Sequence, residues 1–350
     1  MSDLDFAVNS QSGPYDVRFT ADALAQMAPG PGRVIVIDQR VLDLYGDACV
    51  PPLDPATTVT IEALEDTKSL ERIPEIVERL VGLGVRRSDE LVAVGGGITQ
   101  DIVAFIATIM FRGMDWSFIP TTLLAQSDSC IGSKSSINAA GTKNLVGTFR
   151  APRRVTIDVA FLRTLDEADI RSGIGEMLKV HAIAGPRHFD CLATEYDDLL
   201  ADGAVMEAAI HRSLLFKREL IQVDEFDRGP RNVMNYGHSF GHAIEIATDY
   251  AIPHGIAVTI GMDLANFVSA QLGVSGADQY ERMHPTLARN FRGFEAVAID
   301  PERLLAALRR DKKNSATHLR LVLVDHEGSI GLVDVEPEGR LVEAVRSYLA

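Results

Sequence analysis

The sequence predicts an α/β fold: a parallel sheet with crossover helices in the first part of the chain, then a mostly helical second part, with the boundary near 160–165. Three observations carry this. Short apolar runs alternate with helical patterns in the first 120 residues, one of those runs passes into a helix through three consecutive glycines, and long helical patterns dominate after residue 165. A length of 350 residues suffices for one large or two ordinary domains with hydrophobic cores, and 46% apolar with 24% charged residues is the composition of a globular chain.

The elements follow in order. The run Arg33-Val34-Ile35-Val36-Ile37-Asp38 comes after a Pro29-Gly30-Pro31-Gly32 turn and reads as a buried strand ending in an acid. Within 69–83, Leu70, Ile73, Ile76, Val77, Leu80 and Val81 share one helical face. Residues 91–94 form a second buried strand leading straight into Gly95-Gly96-Gly97, 98–110 a largely apolar helix, and 116–120 a further short strand. In the second half, helical patterns cover 167–184, 203–223, 237–247, 256–272 and 301–310, and 319–324 reads as a late strand, an edge piece. Internal repeats and low-complexity segments are absent.

Composition narrows the function. With 34 Lys and Arg against 49 Asp and Glu, the net charge is −15, which repels nucleic-acid backbones but leaves room for a small anion held by local positive charge. Cys49, Cys130 and Cys191 form no CxxC pair and no disulfide framework, and read as small buried apolar groups. The acidic, polar start MSDLDFAVNS is unlike a signal peptide, and no run approaches 18 apolar residues, so the expectation is a cytoplasmic protein that does not span a membrane.

Three constellations point to chemistry. Gly95-Gly96-Gly97, at a strand-to-helix handover, lets backbone approach a phosphate at a helix N-terminus; a tight packed turn is the alternative. Asp101, in the first turn of that helix, either offsets the helix dipole or reaches a ribose or nicotinamide edge. Second, Asn235-Tyr236-Gly237-His238-Ser239-Phe240-Gly241-His242 carries two histidines at i and i+4, on one helical face; Pro253-His254-Gly255 adds a third, and Glu176 and Lys179 lie at i and i+3. Two histidines and one carboxylate suit a catalytic divalent metal, although HxxxH alone is weak and HExxH is absent. The other six histidines are scattered and read as structural or solvated. Third, Arg112, Thr121, Thr122, Gln126, Asp128, Ser133, Lys134, Asn138, Lys143 and Asn144 interleave with apolar residues and suit a phosphate or a polyhydroxylated anion, with a solvated loop as the alternative. Lys217, Arg231 and Asp311-Lys312-Lys313 add positive charge in the helical half.

These motifs occur in one order along the chain, together with Phe111-Arg112-Gly113, Ile119-Pro120-Thr121-Thr122-Leu123-Leu124-Ala125-Gln126 and Lys143-Asn144-Leu145-Val146-Gly147. In that ordered set, from about residue 34 to the 312–313 pair, the chain resembles the sugar phosphate cyclases, most closely the 3-dehydroquinate synthase family. The resemblance implies a dehydroquinate synthase-like fold: a Rossmann-like NAD-binding domain over 1–163, then a helical metal- and substrate-binding domain over 164–350, in a homodimer. It implies NAD and Zn2+ (or Co2+) as cofactors, an anionic sugar phosphate substrate, and no nucleic-acid or membrane partner. Glu176, His238 and His254 match metal ligands. Asp38, Glu65, Lys68, Gly96, Gly97, Asp101, Thr121, Thr122, Lys143, Phe161 and Thr164 match NAD-contacting positions. Lys134, Asn144, His242 and one of Lys312 and Lys313 match substrate or phosphate positions; Asp128 and Lys179 match positions around the reacting hydroxyls, and Arg112 one that reaches a partner subunit's site. The implied reaction is transient oxidation by NAD, β-elimination of phosphate, re-reduction and intramolecular aldol closure.

The chain departs from the usual 3-dehydroquinate synthase pattern at Gln100 (usually glycine), Ser133 and Ser135-Ser136 (within GGKTGIN), Asp227 (usually glutamate) and Ile256 (within HGE). Stretches around 110–113 and 143–147 also resemble 2-deoxy-scyllo-inosose synthase, so a secondary-metabolism cyclase of inosose or valiolone type is the alternative. Lys217 and Arg231 match positions that hold the substrate carboxylate, which inosose and valiolone substrates lack, and Asn235 keeps an amide where inosose synthases are acidic. They favour a 3-deoxy-ulosonate 7-phosphate. A metal-dependent polyol dehydrogenase and a non-catalytic relative are the readings from other classes; the phosphate and carboxylate clamp argues against the first and the intact histidines against the second.

Overall fold

The computed structural model describes residues 2–27, 30–49, 52–310 and 318–350; Lys312 and Lys313 lie outside the described residues. The chain forms two compact units, Met1–Leu165 with Lys217–Phe226, and Asp166–Phe216 with Asp227–Ala350. The sequence pattern marks one change of character near 160–165 and gives no sign of the return at 217–226, because that segment begins inside a continuous helix.

In the first unit the elements are β1 (Phe6–Val8), β2 (Tyr15–Phe19), α1 (Ala23–Gln26), β3 (Arg33–Asp38), α2 (Gln39–Tyr45), β4 (Thr58–Ile61), α3 (Ile73–Gly82), β5 (Glu90–Gly95), α4 (Gly97–Ile109), β6 (Asp115–Pro120), β7 (Lys134–Ala139), β8 (Thr142–Phe149) and β9 (Arg154–Ile157). A seven-stranded sheet runs β1-β2-β9-β6-β5-β3-β4. All its neighbours pair in parallel except β1 with β2 at the edge. The central strands are buried on both faces, which is why β3 and β5 read as unbroken apolar runs instead of alternating ones.

Two expectations need correction here. The helix expected over 69–83 starts at Ile73, because Leu70 N donates to Asn138 O at 2.8 Å and Asn138 N to Lys68 O at 2.9 Å, tying 68–70 to β7 as an extra bridge. Leu70 and Val81 are accordingly exposed. The polar stretch 112–144 is largely ordered structure: a single π-helical turn at Ala125–Ser129 and the β7–β8 hairpin, which packs on α4. β8 is exposed along most of its length and so lacks the apolar alternation that betrays a strand.

The second unit contains α5 (Glu167–Ala184), α6 (Pro186–Thr194), α7 (Tyr196–Ala201), the first part of α8 (Gly203–Val223), α9 (His238–Ala247), α10 (His254–Leu272), α11 (Ala277–Asn290), α12 (Pro301–Arg309), β10 (Leu319–Val324), β11 (Ile330–Val335) and α13 (Arg340–Leu349). The late strand pairs only with β11, as an antiparallel hairpin separate from the large sheet. By length and mean hydropathy α10 is comparable to a membrane-crossing helix, but 78% of its apolar window is buried and it serves as the core helix of this unit. Cys49 and Cys130 are buried as expected, whereas Cys191 is exposed.

Helix α10 meets its neighbours where they carry glycine. A Cβ on Gly255 would lie 1.9 Å from Ser172 O of α5, and one on Gly175 2.3 Å from Gly255 O. Against α9, a Cβ on Gly261 would lie 2.1 Å from Gly237 O, and one on Gly241 3.0 Å from Val258 Cα. Backbone contacts this close leave no space for a methyl group. Gly261→Ala should therefore destabilise by about 1–3 kcal/mol, seen as a lower denaturant midpoint. Gly82→Ala, with nothing within 4 Å of the added carbon, should leave the midpoint unchanged or raise it. Equal midpoints for the two variants would contradict this packing.

Candidate active site

In the first unit, the parallel strands carry side chains and turns to the carboxyl end of the sheet, where ligands bind in open α/β folds. Asp38 ends β3 and caps α2 by accepting from Arg40 N at 3.1 Å; burial raises its carboxyl pKa against the pull of backbone donors. The glycine turn joins β5 to α4. A Cβ on Gly95 would fall 2.4 Å from Thr99 Oγ1, and one on Gly96 3.0 Å from Thr122 Cγ2, so packing alone accounts for these two. At Gly97 the only contact would be Ser129 Oγ at 3.7 Å, so the fold does not require glycine there. An open Gly97 at a helix start fits a ligand that approaches the backbone. Thr121 N donates to Gly95 O at 2.9 Å, which places Thr121 and Thr122 beside the turn.

Next to this turn lies a closed polar network. Lys68 is 7% exposed, and its Nζ donates to Asp101 Oδ2 at 3.1 Å and Asn144 Oδ1 at 2.9 Å, with Glu65 Oε1 at 3.8 Å. Asp101 Oδ1 accepts from Ser136 N at 3.0 Å. Asn138 links Glu65 to the backbone N of Asn144, at 2.8 Å on each side. Burial pushes the Asp101 carboxyl up to about 6, against the opposing pull of Lys68 and the Ser136 amide. Asn144, expected at the substrate, is thus built into the group expected at the cofactor. Phe161 puts its ring into the apolar core, edge-on to Tyr45 at 5.0 Å, and Thr164 Oγ1 lies 2.8 Å from the Tyr45 hydroxyl. Lys134, Lys143 and Arg112 are exposed.

The π-helical turn holds Asp128, 8% exposed, and Lys217 is 6% exposed. Lys217 Nζ lies 2.6 Å from Asp128 Oδ1 and donates to its carbonyl at 2.5 Å. Both residues belong to the first unit.

In the second unit, α5, α9 and the start of α10 bring nitrogen and oxygen donors together. Glu176 Oε1 lies 3.6 Å from His238 Nε2 and 3.4 Å from His254 Nε2. Among the described residues, donor atoms of His238, His242 and His254 all fall within 4.8 Å of one another. With metal–ligand bonds of about 2.0–2.1 Å, a tetrahedral site has ligand–ligand edges of about 3.3 Å, so Glu176 Oε1 lies from both His238 and His254 at nearly the separation a cation would impose. His242, exposed, lies beside the cluster on the same face of α9. The other oxygen of Glu176 pairs with Lys179, and both residues are almost fully buried.

Burial, then the Lys179 charge and the neighbouring histidines, hold His238 well below its usual 6.5, which keeps its nitrogen lone pair available. At His254 burial works the same way, but hydrogen bonds to Glu176 and Glu245 prevail and raise it to about 10. Glu245 Oε2 lies 3.3 Å from His254 Nδ1, on the ring side away from Glu176. Glu245 escaped the sequence reading, although it sits on α9 at helical spacing from His238 and His242, where a residue on the same face is a detectable signal. Arg231, 8% exposed, and Asn235, whose amide donates to Asn232 O at 3.0 Å, lie in the segment leading into α9.

A parallel α/β unit with a glycine turn and a helical unit with a carboxylate–histidine cluster are the features in which the chain is similar to the sugar phosphate cyclases. The solved structure of 2-deoxy-scyllo-inosose synthase complexed with carbaglucose-6-phosphate, NAD+ and Co2+ shares this fold, with a TM-score of 0.84 at 22% identity over 98% of this chain and 99% of that one. ValA, the 2-epi-5-epi-valiolone synthase from Streptomyces hygroscopicus subsp. jinggangensis 5008 with NAD+ and Zn2+ bound, is 28% identical over 96% of both chains, with a TM-score of 0.83. The family models for 3-dehydroquinate synthase N-terminal and C-terminal match residues 58–172 and 173–314. The chain is 34% identical to 3-dehydroquinate synthase of Rhodopseudomonas palustris (strain ATCC BAA-98 / CGA009) over 90% of its length and 87% of that protein. It is 39% identical to that of Xanthomonas oryzae pv. oryzae (strain MAFF 311018) over 80% and 77%. The chain belongs to the 3-dehydroquinate synthase family.

Two outcomes test this geometry. His238→Ala should abolish stoichiometric binding of a divalent metal, and Glu245→Gln should weaken it about 10–100-fold, both read by chelator competition; full metal retention in His238→Ala would remove it from the ligand set. For Asp101, the folded pKa of about 6 lies above the ordinary 3.8, so the folded state holds the extra proton between those values. This group therefore favours the fold at the acid end of that window and loses its contribution as pH rises through it. The stability of the wild type relative to Asp101→Asn should fall across that window in denaturant titrations, and a rise would show that the Lys68 contact outweighs burial.

Proposed function

We propose that the protein is a cytoplasmic, homodimeric sugar phosphate cyclase that uses NAD and a divalent metal, zinc or cobalt, to convert a 3-deoxy-ulosonate 7-phosphate into a carbocycle, as a 3-dehydroquinate synthase does. The observation that carries this is the approach of Glu176 Oε1 to His238 Nε2 and His254 Nε2, at 3.6 and 3.4 Å, in a chain of this family. When bound, NAD supplies reversible hydride transfer and the cation supplies polarisation of the hydroxyl being oxidised.

The chain's own residues supply placement and charge. Glu176, His238 and His254 hold the cation, with Lys179 against the second oxygen of Glu176. Gly96, Gly97, Thr121, Thr122 and Asp38 cradle NAD from the sheet end, and the Lys68–Asp101–Asn144 network fixes the hairpin that carries Lys143 beside it. Lys217 and Arg231, two buried cations, suit the substrate carboxylate; Lys134, His242 and one of Lys312 and Lys313 suit its phosphate and hydroxyls. In this reading Asp128, hydrogen-bonded to Lys217, exchanges a proton with a substrate hydroxyl.

One surface supports the dimer. Ile109, Phe111, Leu145 and Phe149 are each more than 40% exposed, around the point where Thr108 and Thr148 hydroxyls meet at 3.1 Å. Phe111 and Arg112 hold positive φ values of 53° and 63° there, a strained pair that keeps Arg112 at the surface. The second reading, an inosose- or valiolone-type cyclase, is favoured by Ser133, Ser135-Ser136 and Ile256 and by the 28% identity to ValA.

Metal-loaded protein with catalytic NAD should release phosphate from 3-deoxy-arabino-heptulosonate 7-phosphate or its amino analogue without net NADH. Turnover only of sedoheptulose 7-phosphate or glucose 6-phosphate would establish the second reading, and net NADH a dehydrogenase. Arg231→Ala should lower kcat/KM on the ulosonate by the equivalent of about 2–5 kcal/mol; unchanged turnover would end the carboxylate assignment.

A further inference from the structure

Gln100 stands one residue before Asp101 on α4 and is 6% exposed. Both ends of its side-chain amide go to one partner. Nε2 donates to Ser129 O at 2.7 Å, and Oε1 accepts from Ser129 Oγ at 2.7 Å. Ser129 closes the π-helical turn Ala125–Ser129, in which Cys130 N reaches back to Ala125 O at 3.0 Å. A π turn is less favourable than the α-helical alternative and recurs where a side chain must be presented at an unusual angle. It persists only if its surroundings tie it down. Ser127 Oγ to Leu123 O at 2.8 Å and the Gln126 amide to Pro120 O and Asp158 O at 3.0 and 2.8 Å tie the turn on the N-terminal side of Asp128, and Lys217 Nζ holds Asp128 itself, at its carbonyl and its carboxylate. Gln100 ties the residue that follows Asp128 and joins it to α4.

From this geometry we infer that Gln100 is a positioning residue: it clamps the π turn to the helix of the glycine turn and so fixes where Asp128 presents its carboxylate, and with it Lys217. The inference rests on the proposed function for its catalytic consequence but not for its structural part. An amide holding both the carbonyl and the hydroxyl of one residue fixes position and rotation together, which a single hydrogen bond does not. A glycine, the residue that the family resemblance implies at this position, has no side chain to form this clamp.

The test uses the intact protein with Gln100→Gly, Gln100→Ala and Ser129→Ala. Hydrogen exchange read by mass spectrometry should speed up about tenfold in the peptide covering 125–130 and stay unchanged in the central strands. On whichever sugar phosphate the wild type turns over, kcat should fall about tenfold with KM for NAD unchanged. The Gln100→Ala and Ser129→Ala effects should be less than additive in the double variant. Unchanged exchange at 125–130 overturns the clamp. Faster exchange with unchanged kcat overturns the positioning role and leaves a merely structural one. A wild type that turns over no sugar phosphate defeats the proposed function alone. In that case the carboxyl carbon shift of Asp128, followed by NMR against pH, decides between wild type and Gln100→Ala, and identical titrations overturn the inference.

Discussion

The second unit depends on backbone approaching backbone. Helix α10 lies against α5 through Gly175 and Gly255 and against α9 through Gly237 and Gly261, at separations that no Cβ could occupy, and through Gly241, where one would be tight. Three of these glycines flank the donors themselves: Gly175 precedes Glu176, Gly237 precedes His238, and Gly255 follows His254. The same contacts that close the core therefore set the distance between a carboxylate on one helix and imidazoles on two others. Side chains at such spacing repel or compete for protons unless something positive sits among them, and the opposite protonation tendencies of His238 and His254 are one expression of this. Glu245 and Lys179 then act from outside the cluster, one orienting His254 and the other balancing Glu176.

The first unit solves a different problem with the same economy. Its central parallel strands are buried on both faces and end together, so the residues just beyond them are gathered without further design. Those residues are then fixed largely by hydrogen bonding between side chains distant in sequence. Lys68 joins the loop after β4 to α4 and to β8, and the Asn138 amide closes the circuit with Glu65. A network in which each member satisfies another is rigid, and it holds the exposed hairpin against α4 although β8 buries little of its own surface.

The periodic parts of this fold were legible in the sequence. Strands β3, β5 and β6 and helices α5, α8, α9 and α10 announce themselves through apolar runs or helical spacing, and their ends fall within a residue or two of where the patterns put them. Strands β1, β7, β8 and β9 were not, because β1 and β9 are very short and β7 and β8 are rich in serine, asparagine, threonine and lysine. At the site, Glu176, His238 and His254 were found by residue type and ordered motif, and the structure brings them together. Glu245 was missed although its helical spacing from His238 and His242 was there to be read, whereas the Ser136 amide and the Gln100–Ser129 clamp were missed because a serine or a glutamine carries no signal of the partner it meets across a fold. Asn144 shows the converse: motif order located the residue, but only the three-dimensional register with Lys68 shows which group it joins.

The chain's return to the first unit at Lys217–Phe226 bears on how such a protein can be inherited and cut. Neither unit is a contiguous stretch of gene. A fragment ending at residue 165 would carry Asp128 in its buried turn with no lysine to neutralise it, and such an orphaned charge is more costly than the pair it came from. Recombination at that boundary would therefore break the first unit instead of freeing it. The halves are thus bound to descend, and to diverge, as one piece.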